Sequence, residues 1–364
     1  MSEKPNVISH NKRLTENFLD KYRRQPGETP KDEVDGSKDW CYDCFLHYDK
    51  NKDRFLDLDE FTEMVKDIFP ESDSCAASIS SELLELLDED GDHLLGRQEN
   101  RWKVWLSRVI RPISAILIID VQNDFIDGTL SLEKCPAGQD GADVIPVINK
   151  LIKSVKFDLV VYSLDWHDDK HISFIDNLRT RTLHSSFTRS PEEIQLYDKV
   201  IFSMPTAQSQ VLWPRHCVRG TWGAQLHREL YVAPGSVQVF KGTDTDVDSY
   251  SAFFDNNRAS QTQLFSILQS HSVTDVYVCG IAYDVCVKYT ALDALHLGFQ
   301  TCLIDDASKG VKLEDIEKTK TDLVEKGCCL LQSQQISENL SKAFQNTDRG
   351  LWIARALSNA PCVS

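Results

Sequence analysis

Between Pro112 and about residue 335, short apolar runs alternate with helical patterns, and this alternation restricts the fold more than any other feature of the chain. The runs are Ala115–Ile119, Leu159–Ser163, Val237–Phe240, Val276–Cys279 and Thr301–Ile304. Helical spacing of apolar residues recurs in Val144–Val155, Gln261–Ser270 and Val285–Gly298. Strand-like runs separated by helices predict an α/β fold: a mainly parallel sheet flanked by helices on both faces.

In such sheets ligands bind beyond the carboxyl ends of the strands. The first run leads into Asp120-Val-Gln-Asn-Asp124-Phe125, and the second into Asp165-Trp166-His167. After the third comes Lys241-Gly242; after the fourth, Gly280 and then Cys286. Four strand ends thus carry an acid, an Asp-x-His pair, a base and a thiol. Cys286 is expected to open a helix, where unpaired N–H groups and the helix dipole favour thiolate over thiol. Asp165 and His167, two apart, project to one side and form two thirds of a first-row metal site. The third ligand must be distant: His216 is the best candidate and His171 a further one.

The N-terminal part is organised differently. Residues 1–38 are polar and broken by Pro5, Pro26, Pro30, Gly27 and Gly36, which predicts a tail with a basic helix over Thr15–Arg24. Residues 39–110 read as helix, acidic loop, helix, repeated once. The first loop offers Asp49, Asn51, Asp53, the Phe55 carbonyl, Asp57 and Glu60; the second offers Asp88, Asp90, Asp92, the Leu94 carbonyl and Glu99. Oxygen donors at positions 1, 3 and 5, a position-7 carbonyl and glutamate at 12 are the EF-hand calcium pattern. Leu56 and Leu95 are expected on a small strand pairing the loops. Position 6 is Arg54 or His93 instead of glycine, and a left-handed non-glycine costs about 1 kcal/mol. Residues 1–110 hold 16 Lys/Arg against 25 Asp/Glu, a net of −9 out of −16 for the chain. That balance suits cations and argues against nucleic acid or an anionic membrane as a partner.

Eleven cysteines, irregularly spaced, predict reduced thiols rather than a disulfide framework. Cys41-x-x-Cys44 lacks a second pair and reads as two cysteines on a helix face. The polar N-terminus does not resemble a signal peptide and no apolar run reaches membrane-spanning length, so the expected location is the cytoplasm, with the nucleus also open.

The set Ile119–Phe125, Asp165-Trp-His167, Trp213-Pro-Arg-His216-Cys, Lys241-Gly and Gly280-Ile-Ala-Tyr-Asp-Val-Cys286-Val-Lys resembles the nicotinamidases, within the isochorismatase-like cysteine hydrolases, over roughly 112–335. The resemblance implies a catalytic triad of Asp120, Lys241 and Cys286, and zinc or another divalent first-row metal on Asp165, His167 and His216, with His171 near or on it. It also implies aromatic ring contacts from Phe125 and Trp213, and a cis Ile281–Ala282 peptide that turns the Ala282 and Cys286 N–H groups into an oxyanion hole. The implied reaction is hydrolysis of nicotinamide to nicotinate and ammonia through a cysteine thioester, in NAD salvage. An N-terminal EF-hand pair on such a hydrolase resembles the nicotinamidases of invertebrate animals. Expected domains are a tail (1–38), the EF-hand pair with Ca2+ in one or both loops (39–110), the hydrolase (111–335) and a C-terminal helix and tail (336–364). Two alternatives stay open: a cysteine amidase for another amide, pyrazinamide-like or carbamoyl, and a calcium-responsive interaction protein with a vestigial hydrolase. Homo-oligomerisation is also left open.

Overall fold

The computed structural model describes residues 17–23 and 40–359. The tail over 1–38 therefore lies outside the described residues except at 17–23. There, within the basic helix expected over Thr15–Arg24, a single 3-10 turn, Phe18–Lys21, is capped by the Asn17 side chain. The described residues divide into two compact units, one of 17–23, 40–111 and 344–359, the other of 112–343.

The first unit contains α1 (Trp40–Tyr48), β1 (Phe55–Leu56), α2 (Leu58–Ile68), α3 (Ala76–Leu87), β2 (Leu95–Gly96) and α4 (Arg101–Ile110). Asp57 and Glu60 form a capping box that starts α2. Phe61, Met64, Val65 and Ile68, spaced three and four apart, give that helix one buried face. β1 and β2 pair antiparallel, with Leu56 opposite Leu95. Arg54 and His93 are left-handed, at φ +78° and +63°, so both loops accept the cost of a side chain at the sharp turn. Cys41 and Cys44 are buried in this unit's core beside Phe45 and Trp102.

In the second unit follow β3 (Ser114–Ile119), α5 (Asn123–Ile126), α6 (Val144–Ser154), β4 (Leu159–Asp165), β5 (Lys199–Phe202), β6 (Gln208–Val211) and β7 (Val237–Lys241). Then come α7 (Leu264–Ser270), β8 (Asp275–Ile281), α8 (Lys288–His296), β9 (Gln300–Lys309), α9 (Leu313–Glu325), β10 (Cys329–Leu331) and α10 (Ile336–Lys342). Six strands form one sheet in the order β10-β9-β8-β3-β4-β7, and every neighbouring pair is parallel. Alternate residues face opposite layers. Ile116, Ile118, Tyr162 and Tyr277 pack with α6 and α10; Ala115, Leu117, Val276 and Val278 pack with α7, α8 and α9. β5 and β6 form a separate antiparallel pair over a small core of Ile172, Leu178, Ile194, Val200, Phe202 and Leu212. The long segment after Asp168 thus has a core of its own.

The last helix, α11 (Thr347–Ser358), belongs to the first unit. Trp105 donates its indole N–H to the Gly350 carbonyl at 2.9 Å, and Arg349 donates to the carbonyls of Arg108 and Val109 at the end of α4. Gly350→Ala would ordinarily strengthen a helix by about 1 kcal/mol. Here the new Cβ would sit 2.4 Å from Cζ of Phe69, a ring fully buried against Trp105. Overpacking costs about 1–3 kcal/mol, so the variant should unfold at lower temperature than the parent. A raised Tm would show that the Phe69 ring turns aside freely.

Candidate active site

β3 lies between β4 and β8: the chain first winds outward through β4 to β7, then returns to build β8, β9 and β10 on the other side. Such a reversal opens a crevice at the strand ends, and Asp120 and Cys286 come from its two walls. Asp120, the residue after β3, is fully buried and left-handed at φ +49°. Its Oδ1 accepts the Ser163 hydroxyl at 2.6 Å. Lys241 ends β7, opposite Asp165 on β4, and reaches across the sheet. Its Nζ lies 2.9 Å from Asp120, 2.5 Å from Asp165 and 3.3 Å from the Cys286 sulfur. Acid, ammonium and thiol, 166 positions apart in sequence at the extremes, therefore meet in one buried cluster.

Cys286 sits in a π-helical turn, Tyr283–Val287, that follows β8 and a cis Ile281–Ala282 peptide; α8 starts only at Lys288. The helical stretch that Cys286 was expected to open thus begins as a π turn and runs directly into α8. Burial pushes the thiol well above its ordinary pKa; the Lys241 ammonium opposes this, and Asp120 and Asp165 add to the rise. The sulfur accepts a hydrogen bond from Lys241 Nζ, but burial and the two aspartates disfavour a standing thiolate. Burial likewise lifts the Asp120 carboxyl above the usual range, against the pull of Lys241.

Beside this cluster, Asp165 Oδ2 lies 3.5 Å from His167 Nε2 and 3.8 Å from His216 Nε2. Gln122 fixes the Asp165 backbone, accepting its N–H and donating to its carbonyl. His167 Nδ1 lies 2.9 Å from the Gly242 carbonyl and His216 Nδ1 2.7 Å from that of Pro214. With Nδ1–H donating, each ring turns the Nε2 lone pair inward. Gly242 must be glycine: at φ +62°, a Cβ would lie 2.3 Å from His167 Cε1. His171 bonds the Ser173 hydroxyl through Nδ1; its Nε2 is buried without a hydrogen bond, 4.0 Å from Asp248 Oδ1, and its ring stacks on His167 with centroids 4.0 Å apart.

Burial holds His216 down to about 4 and His171 well below 6.5, so both are neutral at pH 7, the form that ligates. Burial would lower His167 too, but Asp165 raises it. Asp165 itself is held below the usual carboxylate range, because Lys241 and His167 outweigh burial. One carboxylate oxygen and two imidazole nitrogens within 4.8 Å of one another, with an orphaned third imidazole alongside, make a donor set that fits zinc or a similar divalent ion.

Phe125, Trp213, Tyr250, Leu130, Val285 and Val311 line a pocket that opens onto Cys286, Asp165 and His216. Phe125 packs against the His216 ring, and Trp213 is braced edge-on by Tyr197 at 5.7 Å. Tyr250, Ser163 and Gln122 were not legible as site residues. Tyr250 lies nine residues past Lys241 in a loop, where only the compact run Ser249-Tyr-Ser-Ala-Phe253 among acidic and polar residues hints at packing.

The Isochorismatase domain family model matches residues 114–335. The nicotinamidase of Escherichia coli (strain K12) is 36% identical over 205 residues, 56% of this chain and 86% of the relative. A solved nicotinamidase/pyrazinamidase from Acinetobacter baumanii aligns with a TM-score of 0.52 at 36% identity, over 61% of this chain and 97% of that one. The yeast nicotinamidase bound to the inhibitor nicotinaldehyde also aligns with a TM-score of 0.52, at 30% identity, covering 60% of this chain and 100% of that one.

Proposed function

The chain belongs to the isochorismatase family, and we infer that it does the work of the nicotinamidases it is similar to. It is an amidohydrolase that converts nicotinamide and water to nicotinate and ammonia. The observation that carries the reading is the meeting of Asp120, Lys241 and Cys286 beside the Asp165, His167 and His216 cluster at one pocket.

In the proposed mechanism Asp120 takes the proton from Cys286 as the sulfur attacks the carboxamide carbon. Lys241 keeps the displaced negative charge near Asp120 instead of leaving it uncompensated in a buried site. The N–H groups of Ala282 and Cys286 receive the developing oxyanion, an interaction worth about 3 kcal/mol. Asp120 then gives its proton to the amide nitrogen, the C–N bond breaks and ammonia leaves. Water, losing a proton to Asp120, attacks the thioester and restores the thiol. When bound, a divalent ion on Asp165, His167 and His216, with His171 beside it, would supply a Lewis acid for the pyridine nitrogen and aim the amide at Cys286. Phe125 and Trp213 would flank the ring, and the Tyr197 arm behind Trp213 suits a cover over the pocket.

The test is ammonia release from nicotinamide, compared with a linear carbamoyl amide. Nicotinamide should be preferred by at least ten-fold in kcat/KM; a preference for the carbamoyl amide would overturn the reading. Nicotinate is a precursor that NAD salvage consumes, and a cytoplasmic location suits that role. Among the described residues no helix is long and apolar enough to cross a membrane.

For the first unit we propose an EF-hand pair that binds Ca2+. Asp49, at the first position of its loop, is 5% exposed with Oδ1 unpartnered. Glu99, at position 12 of the second, has a buried, unpartnered Oε2 and groups with Asp88 and Asp90. Calcium should raise the melting temperature of the intact chain. Glu60→Gln together with Glu99→Gln should remove that rise, and an equal rise in the double variant would refute the loops as the binding sites.

A further inference from the structure

The motif after β3 holds a second acid, Asp124, to which the reaction assigns nothing. It is 7% exposed, and both carboxylate oxygens are spent on backbone. Oδ2 accepts the Cys217 N–H at 2.7 Å and Oδ1 accepts the Thr129 N–H at 3.1 Å. Its own N–H donates to the Gly223 carbonyl at 3.1 Å. The fit leaves no slack: a Cβ on Gly223 would lie 1.9 Å from Oδ2, and one on Gly128 2.3 Å from Oδ1.

Cys217, which Asp124 holds, follows His216 directly and is left-handed at φ +47°. A buried cysteine gains nothing from that conformation, which persists only where neighbours enforce it. Two neighbours do. The Cys217 N–H is taken by Asp124, and its carbonyl accepts the His167 N–H at 3.0 Å. One short piece of backbone therefore connects His216 to His167, and a buried carboxylate grips its middle. A charged acceptor on a peptide N–H is roughly twice as strong as a neutral one.

We propose that Asp124 is a positioning residue of the metal centre: it enforces the turn at Cys217 that points His216 Nε2 toward Asp165 and His167. The inference rests on the assignment of those three residues as metal ligands. Asp124 acts through Cys217 and touches neither the metal nor the substrate. Groups that orient ligands in this way typically account for 10–100-fold in metal affinity.

The test is zinc affinity, read by chelator competition on the metal-stripped full chain, for the parent, Asp124→Asn, Asp124→Ala, His216→Ala and Asp284→Asn. Asp124→Ala should bind zinc at least ten-fold more weakly. Asp124→Asn, isosteric and still able to accept one N–H, should fall between it and the parent. Asp284 is the control, a carboxylate that also accepts two backbone N–H groups, of Val311 and Lys312, on another wall of the pocket. Asp284→Asn should leave zinc affinity within about two-fold. Parent-like affinity in both Asp124 variants, with zinc lost in His216→Ala, would overturn this inference alone. An equal loss in Asp284→Asn would mark general loosening and overturn it as well. Zinc retained by His216→Ala would bring down the ligand assignment and this inference with it.

Discussion

Cys286→Ala is expected to lower nicotinamide turnover by about 10⁴-fold or more while the protein keeps its metal. Losses of this size follow removal of an attacking atom that acts with its base as a unit. Nothing nearby can replace the sulfur. Cys217 is fully buried with its N–H tied to Asp124, and Asp120 is locked between Ser163 and Lys241. The metal should stay because Asp165 divides its oxygens, Oδ1 toward Lys241 and Oδ2 toward the two histidines. Steady-state ammonia release and metal content of the same preparation check both halves. A variant that retains a tenth of the activity, or that arrives without metal, would remove Cys286 from the role of nucleophile.

Lys241→Met should be nearly as damaging and, unlike Cys286→Ala, should also cost stability. The methionine fills similar volume but leaves Asp120 and Asp165 buried without their ammonium. Removing one partner from a buried ionic group costs about 3–5 kcal/mol, part of it offset when a bound cation faces Asp165. Turnover should fall on the order of 10³-fold, since Asp120 can no longer hold and release a proton at the right pH. The sign of the pH dependence is fixed. In the parent, Lys241 is raised well above 10.5, because the two aspartates outweigh burial, so it stays charged from pH 5 to pH 8 and its own titration adds no slope there. In the variant the two carboxylates have folded-state pKa values above their unfolded ones, so the folded protein binds more protons and gains stability as pH falls. The gap in melting temperature between parent and variant should narrow from pH 8 to pH 5. A constant gap would mean that Lys241 does not neutralise these acids.

Much of the second unit was legible because its signals are local. The runs at 115, 159, 237, 276 and 301 all became strands of the sheet, since continuous apolar stretches bounded by polar turns have few other ways to be buried. The chemical residues at their ends could be named, because a parallel sheet brings successive carboxyl ends to the same rim. β10, by contrast, is three half-buried residues, Cys329–Leu331, too short to carry a pattern. The π-helical turn at Cys286 was missed for another reason. The turn's end residues, Tyr283 and Val287, are buried in the core, and the sequence carries no separate mark for a π turn as against an α turn. The consequence is chemical: the helix dipole favours a thiolate, whereas burial of the turn pushes the thiol pKa up.

The sequence by itself determined the α/β alternation, the two acidic loops and the donor types at each strand end, since each is written within a dozen or so neighbouring residues. Tertiary structure alone decided that Lys241 reaches past Asp165 to Asp120 and Cys286, that Asp124 grips the turn after His216, and that α11 packs against α4. These are contacts between segments about a hundred residues or more apart in most cases, and they depend on strand order and burial. Side-chain pKa values follow from the same cause: desolvation depends on what covers a group, and that cover comes from elsewhere in the chain.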